Sequence, residues 1–233
     1  MKRYLILIFA IAITLGAWGQ NEETFSRIAK YEQQNRQIMG QWNPGNRVVI
    51  LGNSITELWP IRHKEFFAAY PNLIGRGISG QTTYNFLTRY REDVIDLKPK
   101  VVVINGGTND VAENFNFAYN EEHTFGNIMT MVELAKAHKI KVILTSVLPT
   151  SQFPWNKGVQ GVQLKIMRLN SRIKAYAAGQ GIPYVDYYSK MVSGADCSLN
   201  PDLTTDGVHP NAAGYEVMES LLLPALRKYV KMK

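Results

Sequence analysis

Two short segments far apart in the chain carry the residue types of a serine-dependent hydrolysis. Asp206 precedes His209 by three residues, just ahead of an expected helix, so a carboxylate and an imidazole can enter one cleft. A serine nucleophile needs such a pair, because a base must take its proton and a second group must orient the base. Ser54 follows the apolar run 48–51, which places it where a buried strand ends and a helix is expected to begin.

Each of these residues also has a simpler explanation. Ser54 could cap a helix, as serines at helix starts often do. Asp206 and His209 could bind a metal ion, although no His, Cys, Asp and Glu set with metal-ligand spacing accompanies them, so we expect no metal. The remaining histidines are expected at the surface: His63, His123 and His138.

Strand and helix patterns alternate beyond residue 45. The predicted strands are 47–51, 72–78, 100–105, 140–148 and 182–187, and the predicted helices are 83–97, 125–138, 162–178 and 212–229. Continuous apolar strands of this length are typical of a parallel sheet covered on both faces. The pattern therefore predicts an α/β protein, a three-layer α/β/α sandwich around a parallel sheet of about five strands. In such sheets the site lies outside the carboxyl ends of the strands, which is where the candidate residues fall.

The first 19 residues have the features of a secretory signal peptide. Lys2 and Arg3 form a basic start, residues 4–15 are almost wholly apolar, and Ala17-Trp18-Gly19 has small residues at the positions before a cleavage point. A transmembrane anchor is less expected, because the apolar run is shorter than the roughly 20 residues of a bilayer span. We expect cleavage near Gly19/Gln20, export to the periplasm or the medium, and no stable membrane insertion afterwards.

Residues 20–233 have the length of one α/β domain, with 20–45 as an N-terminal helical lead-in. The formal net charge is +7, but the basic residues are scattered without aromatic interleaving. This pattern indicates a solvated surface and no nucleic-acid partner. Cys197 is the single cysteine, which excludes a disulfide within the chain. The sequence gives no signal for the oligomeric state.

Four blocks together resemble the SGNH hydrolase (GDSL-like lipase/acylhydrolase) family. They are Gly-Asn-Ser-Ile-Thr at 52–56, Gly-Ile-Ser-Gly-Gln-Thr-Thr at 77–83, Gly-Gly-Thr-Asn-Asp at 106–110 and Asp-Gly-Val-His-Pro at 206–210. Each block is weak alone, but the four in order, next to predicted strands or helices, are specific. The resemblance implies the flavodoxin-like fold of this family and catalysis without a cofactor.

The resemblance also implies a role for each matching residue. Ser54 would be the nucleophile, His209 the base and later the acid, and Asp206 the group that orients His209. The backbone N–H groups of Ser54 and Gly80 and the side-chain amide of Asn109 would form the oxyanion hole. Glycine allows close backbone approach, and a carboxamide donates hydrogen bonds without adding charge.

Two neighbouring residues need separate comment. The family usually has Asp before the nucleophile, whereas this chain has Asn53, which we expect to tune the surroundings of the serine without abolishing catalysis. Asp110, in the third block, is expected to be structural.

The substrate is less constrained by the sequence. Similarity to the acetylhydrolase-like branch, through Ile-Ser-Gly-Gln-Thr-Thr, points to a small acyl group. Aromatic residues at 115–119 and 149–155 should overhang the carboxyl edge of the sheet, where they could stack on sugars, line an acyl pocket or simply anchor loops. We therefore expect an exported serine esterase acting on short-chain esters of carbohydrate, with acetyl as the expected acyl group. The alternatives are a lysophospholipase or thioesterase-like lipid hydrolase, an acyltransferase with the same acyl-enzyme, and a non-enzymatic glycan-binding protein.

Overall fold

A computed structural model describes residues 25–41 and 46–232. The predicted signal peptide and its cleavage point lie outside these residues, as does part of the lead-in 20–45. Assignment of residues 20–233 to one domain stays a prediction. Within the described ranges, every helix is too short or too polar to cross a membrane.

Five parallel strands form the central sheet, in the order β2-β1-β3-β4-β5. They are β1 (Val48–Gly52), β2 (Leu73–Gly77), β3 (Val101–Asn105), β4 (Lys141–Thr145) and β5 (Tyr184–Val185). Gly52, at the end of β1, lies opposite both Gly77 of β2 and Asn105 of β3. Because these three strand ends are in register, the loops that follow them meet at one edge of the sheet.

Helices cover both faces of the sheet. The described α-helices are α1 (Glu32–Met39), α2 (Ser54–Arg62), α3 (Lys64–Ala69), α4 (Thr83–Thr88), α5 (Thr108–Val111), α6 (Glu121–Ala137), α7 (Val162–Gly179), α8 (Tyr188–Met191) and α9 (Ala212–Leu226). Along β1, Val49 and Leu51 pack in a core with α4, α6 and α7, whereas Val48 and Ile50 pack with α2, α3 and α9. This alternation confirms the predicted three-layer α/β/α sandwich.

Several predicted elements differ in extent from those observed. The helix predicted over 83–97 is α4 followed by a π-helical turn, Arg91–Ile95. The strand predicted over 140–148 ends at Thr145, since Val147 bonds to the side chain of Asn170 in place of a neighbouring strand. The strand predicted over 182–187 shrinks to β5. A small hairpin, β6 (Val192–Ser193) with β7 (Ser198–Leu199), was not predicted.

The prediction for one histidine is wrong. His63 lies between α2 and α3 and is partly buried, with its Nδ1 2.7 Å from Oε1 of Glu219 on α9. The same oxygen accepts a hydrogen bond from Trp59 Nε1 at 2.8 Å. Burial raises the pKa of Glu219 despite these hydrogen bonds. His123 and His138 are exposed, as predicted.

A fully buried guanidinium joins the ends of the first two strands. Arg89 donates hydrogen bonds to the carbonyl oxygens of Gly52 (2.9 Å) and Arg76 (3.1 Å). It also donates to Gln81 Oε1 (2.6 Å) in the loop after β2 and to Asp93 Oδ2 (2.8 Å), which balances its charge. One side chain thereby fixes β1, β2 and the loop after β2 relative to one another.

Replacing Arg89 by methionine should lower the free energy of unfolding by about 3 to 5 kcal/mol, because Asp93 and three oxygen acceptors lose their buried donor. Urea unfolding of the two proteins measures this difference. Arg91→Gln is the matched control, since Arg91 is exposed and pairs with Asp96 at 3.6 Å, so its loss should cost at most about 1 kcal/mol. Equal losses in the two variants would contradict the account of Arg89.

Candidate active site

Ser54 is the first residue of α2, directly after the turn that ends β1. Asn53 caps the helix, with its Oδ1 accepting a hydrogen bond from Ile55 N at 3.0 Å. Asn53 thus supplies the acceptor that the family's usual Asp would supply, while its Nδ2 is buried without a partner among the described residues. Gly52 lets α2 lie close to the end of β1, because a Cβ there would collide with the Thr56 side chain. The first N–H groups of a helix have no intrahelical partners, so Ser54 N–H is available to a ligand.

His209 lies beside Ser54 and is held by Asp206. Ser54 Oγ is 2.8 Å from His209 Nε2, and His209 Nδ1 is 2.7 Å from Asp206 Oδ2. Because a carboxylate oxygen accepts at Nδ1, the proton of a neutral imidazole resides there, which leaves Nε2 free to accept from the serine hydroxyl.

The loop around Asp206 orients both side chains. Asp206 Oδ1 accepts hydrogen bonds from the backbone N–H groups of Val208 (3.0 Å) and His209 (2.8 Å). Partial burial alone would raise the pKa of Asp206, but these hydrogen bonds and that from the His209 ring outweigh it and hold the pKa below its usual value. Asp206 therefore stays ionised near neutral pH.

The loops after β2 and β3 bring further donors to the same place. Gly80 has a φ of +81°, in the left-handed region that favours glycine. Asn114 Nδ2 donates to the Gly80 carbonyl, and Asn109 Nδ2 donates to the Gln81 carbonyl, both at 2.9 Å. Asn109 uses one amide hydrogen in this bond, which leaves the second for a ligand.

A cleft of about 460 Å³ brings all the predicted site residues together: Ser54, Gly80, Asn109, Asp206 and His209. Five further residues line it: Leu58, Arg62, Ser79, Asn114 and Trp155. Leu58 and Arg62 follow Ser54 at helical spacings of four and eight, a signal that the sequence offers once α2 is recognised. The sequence gives no such signal for Asn114, because its place in the cleft depends on contacts between loops.

The aromatic residues of the predicted edge loops behave in two ways. Trp155 is 46% exposed in the cleft, its ring centre lies 6.0 Å from that of His209, and Asn114 Oδ1 accepts a hydrogen bond from its Nε1 at 2.9 Å. Phe115 and Phe117 pack edge-on against Phe25 instead, with ring centres 5.4 and 6.3 Å away. Trp155 alone among these presents a fixed aromatic face beside the candidate nucleophile.

Asp110 is buried behind the cleft and bonds to its supporting helices. Its carboxylate accepts hydrogen bonds from Thr83 N (3.0 Å), Thr83 Oγ1 (2.5 Å) and Thr124 Oγ1 (3.4 Å). Burial raises the pKa of Asp110 to about 6, although these hydrogen bonds oppose the shift. Asp110 thereby ties α5, which carries Asn109, to α4 and α6.

Comparisons with known proteins give a consistent set of relatives. The model of the GDSL-like Lipase/Acylhydrolase family matches residues 50–217. The crystal structure of a GDSL-like lipase from Bacteroides thetaiotaomicron VPI-5482 is 54% identical, covers 88% of this chain and 98% of that one, and superposes with a TM-score of 0.84.

Two curated relatives are more distant. An acetylxylan esterase of Xylanibacter ruminicola is 23% identical over 251 residues, which is 90% of this chain. An uncharacterized lipoprotein of Bacillus subtilis is 25% identical over 158 residues, which is 64% of this chain. The matched regions span 50% of the esterase and 58% of the lipoprotein.

The raised pKa of Asp110 predicts a pH-dependent effect of Asp110→Asn. The native carboxyl binds its proton more tightly than the unfolded one, so its contribution to stability is greatest at low pH and falls as the pH rises through about 6. Since asparagine does not titrate, the stability of the variant relative to the wild type should improve by about 2 kcal/mol between pH 4 and pH 7. Urea unfolding at both pH values measures this change, and a constant difference would contradict the assignment.

Proposed function

The chain belongs to the GDSL-like lipase/acylhydrolase family, a family of carboxylic ester hydrolases, and we propose that it is an exported serine esterase that removes short acyl groups, such as acetyl, from carbohydrate. The observation that carries this proposal is the continuous hydrogen-bonded series from Ser54 through His209 to Asp206. A serine hydroxyl is a poor nucleophile until a correctly oriented base takes its proton.

In the proposed reaction, Ser54 Oγ attacks the ester carbonyl while His209 Nε2 accepts the hydroxyl proton. Asp206 stabilises the imidazolium that forms, because its lowered pKa keeps it charged. The tetrahedral intermediate collapses when His209 gives the proton to the departing alcohol, which leaves the acyl group on Ser54. Water, deprotonated by His209, then attacks the acyl-enzyme and releases the acid with Ser54 restored.

The proposed oxyanion hole consists of Ser54 N–H, Gly80 N–H and the Asn109 amide. Support comes from the way these groups are fixed, since the Asn109 amide and the Gly80 carbonyl each have a hydrogen-bonded partner in the protein. Donors held before the reaction need no reorganisation as charge develops on the oxygen, and each is worth about 10²- to 10³-fold in rate. The positive end of the α2 dipole adds to the stabilisation.

The preference for a short acyl group rests on the character of the cleft. Leu58 and Trp155 are its apolar side chains, and the other residues that line it are polar, charged or glycine. A long acyl chain would need an extended apolar wall to bury its methylene groups, each worth about 0.8 kcal/mol. An acetyl group has little apolar surface to bury and fits the available space.

Support for a carbohydrate substrate comes from Trp155 and from one relative. The Trp155 ring is exposed, is fixed by Asn114 and lies beside His209, so it offers an apolar face to a sugar ring. The relative is the acetylxylan esterase of Xylanibacter ruminicola. Support for export comes from the signal-peptide pattern at residues 1–19 and from the similarity to a Bacillus subtilis lipoprotein.

The proposal predicts that kcat/KM for p-nitrophenyl esters falls at least tenfold from acetate to octanoate, because the cleft does not stabilise the longer chain. The measurement uses the chain from residue 20, with butyrate as the intermediate length. A lysophospholipase or other lipid hydrolase would instead favour octanoate.

Two serine variants accompany this assay. Ser54→Ala should lower the rate on acetate by at least about 10³-fold, since the nucleophile is lost. Ser79→Ala is the matched control, because Ser79 lines the same cleft but its hydroxyl makes no hydrogen bond to His209. Hydrolysis that survives in Ser54→Ala would overturn the proposed mechanism.

A further inference from the structure

One face of α2 extends the cleft away from the candidate nucleophile. Ser54, Leu58 and Arg62 are spaced four residues apart, and all three line the cleft. Residues at this spacing form one row on a helix surface, and eight residues span about 12 Å along the axis. The cleft therefore presents, in order, a hydroxyl, an apolar side chain and a cation.

The guanidinium of Arg62 is fixed in place by the loop that carries His209. Its Nη1 donates to the Pro210 carbonyl at 2.7 Å and to Thr205 Oγ1 at 3.2 Å. A guanidinium has five N–H groups, so those on Nε and Nη2 are left for another acceptor. Arg62 is only partly buried and lines the cleft.

Arg62 has no ion-pair partner among the residues that the structure describes. Throughout residues 25–41 and 46–232, the ion pairs of arginine involve other residues, such as Arg89 with Asp93 and Arg172 with Glu121. Asp206 is the one carboxylate among the residues that line this cleft, and it is engaged by His209 and two backbone N–H groups. The end of the cleft at Arg62 is thus a fixed positive site with spare donors.

We propose that Arg62 forms an anion subsite and that the ester substrate is an acylated acidic glycan, with a carboxylate on the acylated sugar or on its neighbour. This inference rests on the proposed function and names the substrate class of the same site. Arginine suits the role because its planar fork binds a carboxylate through two parallel hydrogen bonds. Trp155 would stack on the sugar ring while Arg62 binds its carboxylate.

A phospholipid headgroup could also offer an anion to Arg62. The cleft favours the glycan, because Leu58 and Trp155 are its apolar side chains and provide no continuous apolar surface for an acyl tail. Preferential hydrolysis of an anionic lipid is therefore the alternative result that the experiment must distinguish.

The experiment compares acetate release from two matched substrates. The first is an acetylated xylo-oligosaccharide with a glucuronate branch, and the second is the same molecule with the glucuronate carboxyl reduced to an alcohol. The wild type should have a kcat/KM roughly 10- to 100-fold higher for the acidic form, the range of a hydrogen bond to a charged group. In Arg62→Gln this ratio should approach one, and added salt should reduce it in the wild type.

Two further measurements test the role of Arg62 without depending on where the glucuronate branch lies or on how well a variant folds. Free glucuronate should inhibit p-nitrophenyl acetate hydrolysis more strongly than glucose in the wild type, and this difference should vanish in Arg62→Gln. Arg91→Gln, which removes an exposed guanidinium that does not line the cleft, should keep the wild-type ratio. Arg62→Lys should keep part of it, because the charge remains but the fork is lost.

The inference is overturned if the wild type and Arg62→Gln give the same substrate ratio and the same glucuronate inhibition. It is also overturned if an anionic lysophospholipid is hydrolysed in preference to both glycans. These failures differ from failure of the proposed function. Equal substrate ratios together with equal glucuronate inhibition remove only the role of Arg62, whereas hydrolysis that survives in Ser54→Ala removes the mechanism itself.

Discussion

The candidate site depends on one buried guanidinium behind it. Arg89 bonds to the carbonyl of Gly52, two residues before Ser54, and to the side chain of Gln81, next to Gly80. A buried cation that loses an acceptor is left unsatisfied at a cost of several kcal/mol, so these segments cannot move apart independently. The turn that carries the candidate nucleophile and the loop that carries the Gly80 donor are thereby held at a fixed separation.

The same network reaches α5, the helix that follows β3. The Gln81 carbonyl accepts a hydrogen bond from Asn109, and the neighbouring Asp110 bonds to Thr83 at the start of α4. Each of the three proposed oxyanion donors is therefore supported by contacts behind the cleft. Such support is the physical requirement for electrostatic stabilisation, because donors must already point at the developing charge. Asp206 and His209 complete the cleft from a separate loop, which Arg62 ties to α2.

The sequence was sufficient to predict the fold and the convergence of the candidate residues. Buried parallel strands have a strong hydrophobic signal, and their carboxyl ends must share one edge, so Ser54, Gly80 and Asn109 were expected together. The break in the predicted helix 83–97 was not visible, since its apolar spacing continues through the π-helical turn. The contacts of Arg89, His63 and Arg62 join segments that are distant in the sequence, and periodicity carries no information about such contacts.

The central claim is that Ser54 carries the acyl group during turnover. Mass spectrometry of the protein, acid-quenched during hydrolysis of p-nitrophenyl acetate and then digested, tests it most directly. The account predicts an acetyl group on the Ser54 hydroxyl that builds up within the first turnover and disappears once the substrate is exhausted. An acetyl group on another residue that forms and decays at the rate of turnover would contradict it.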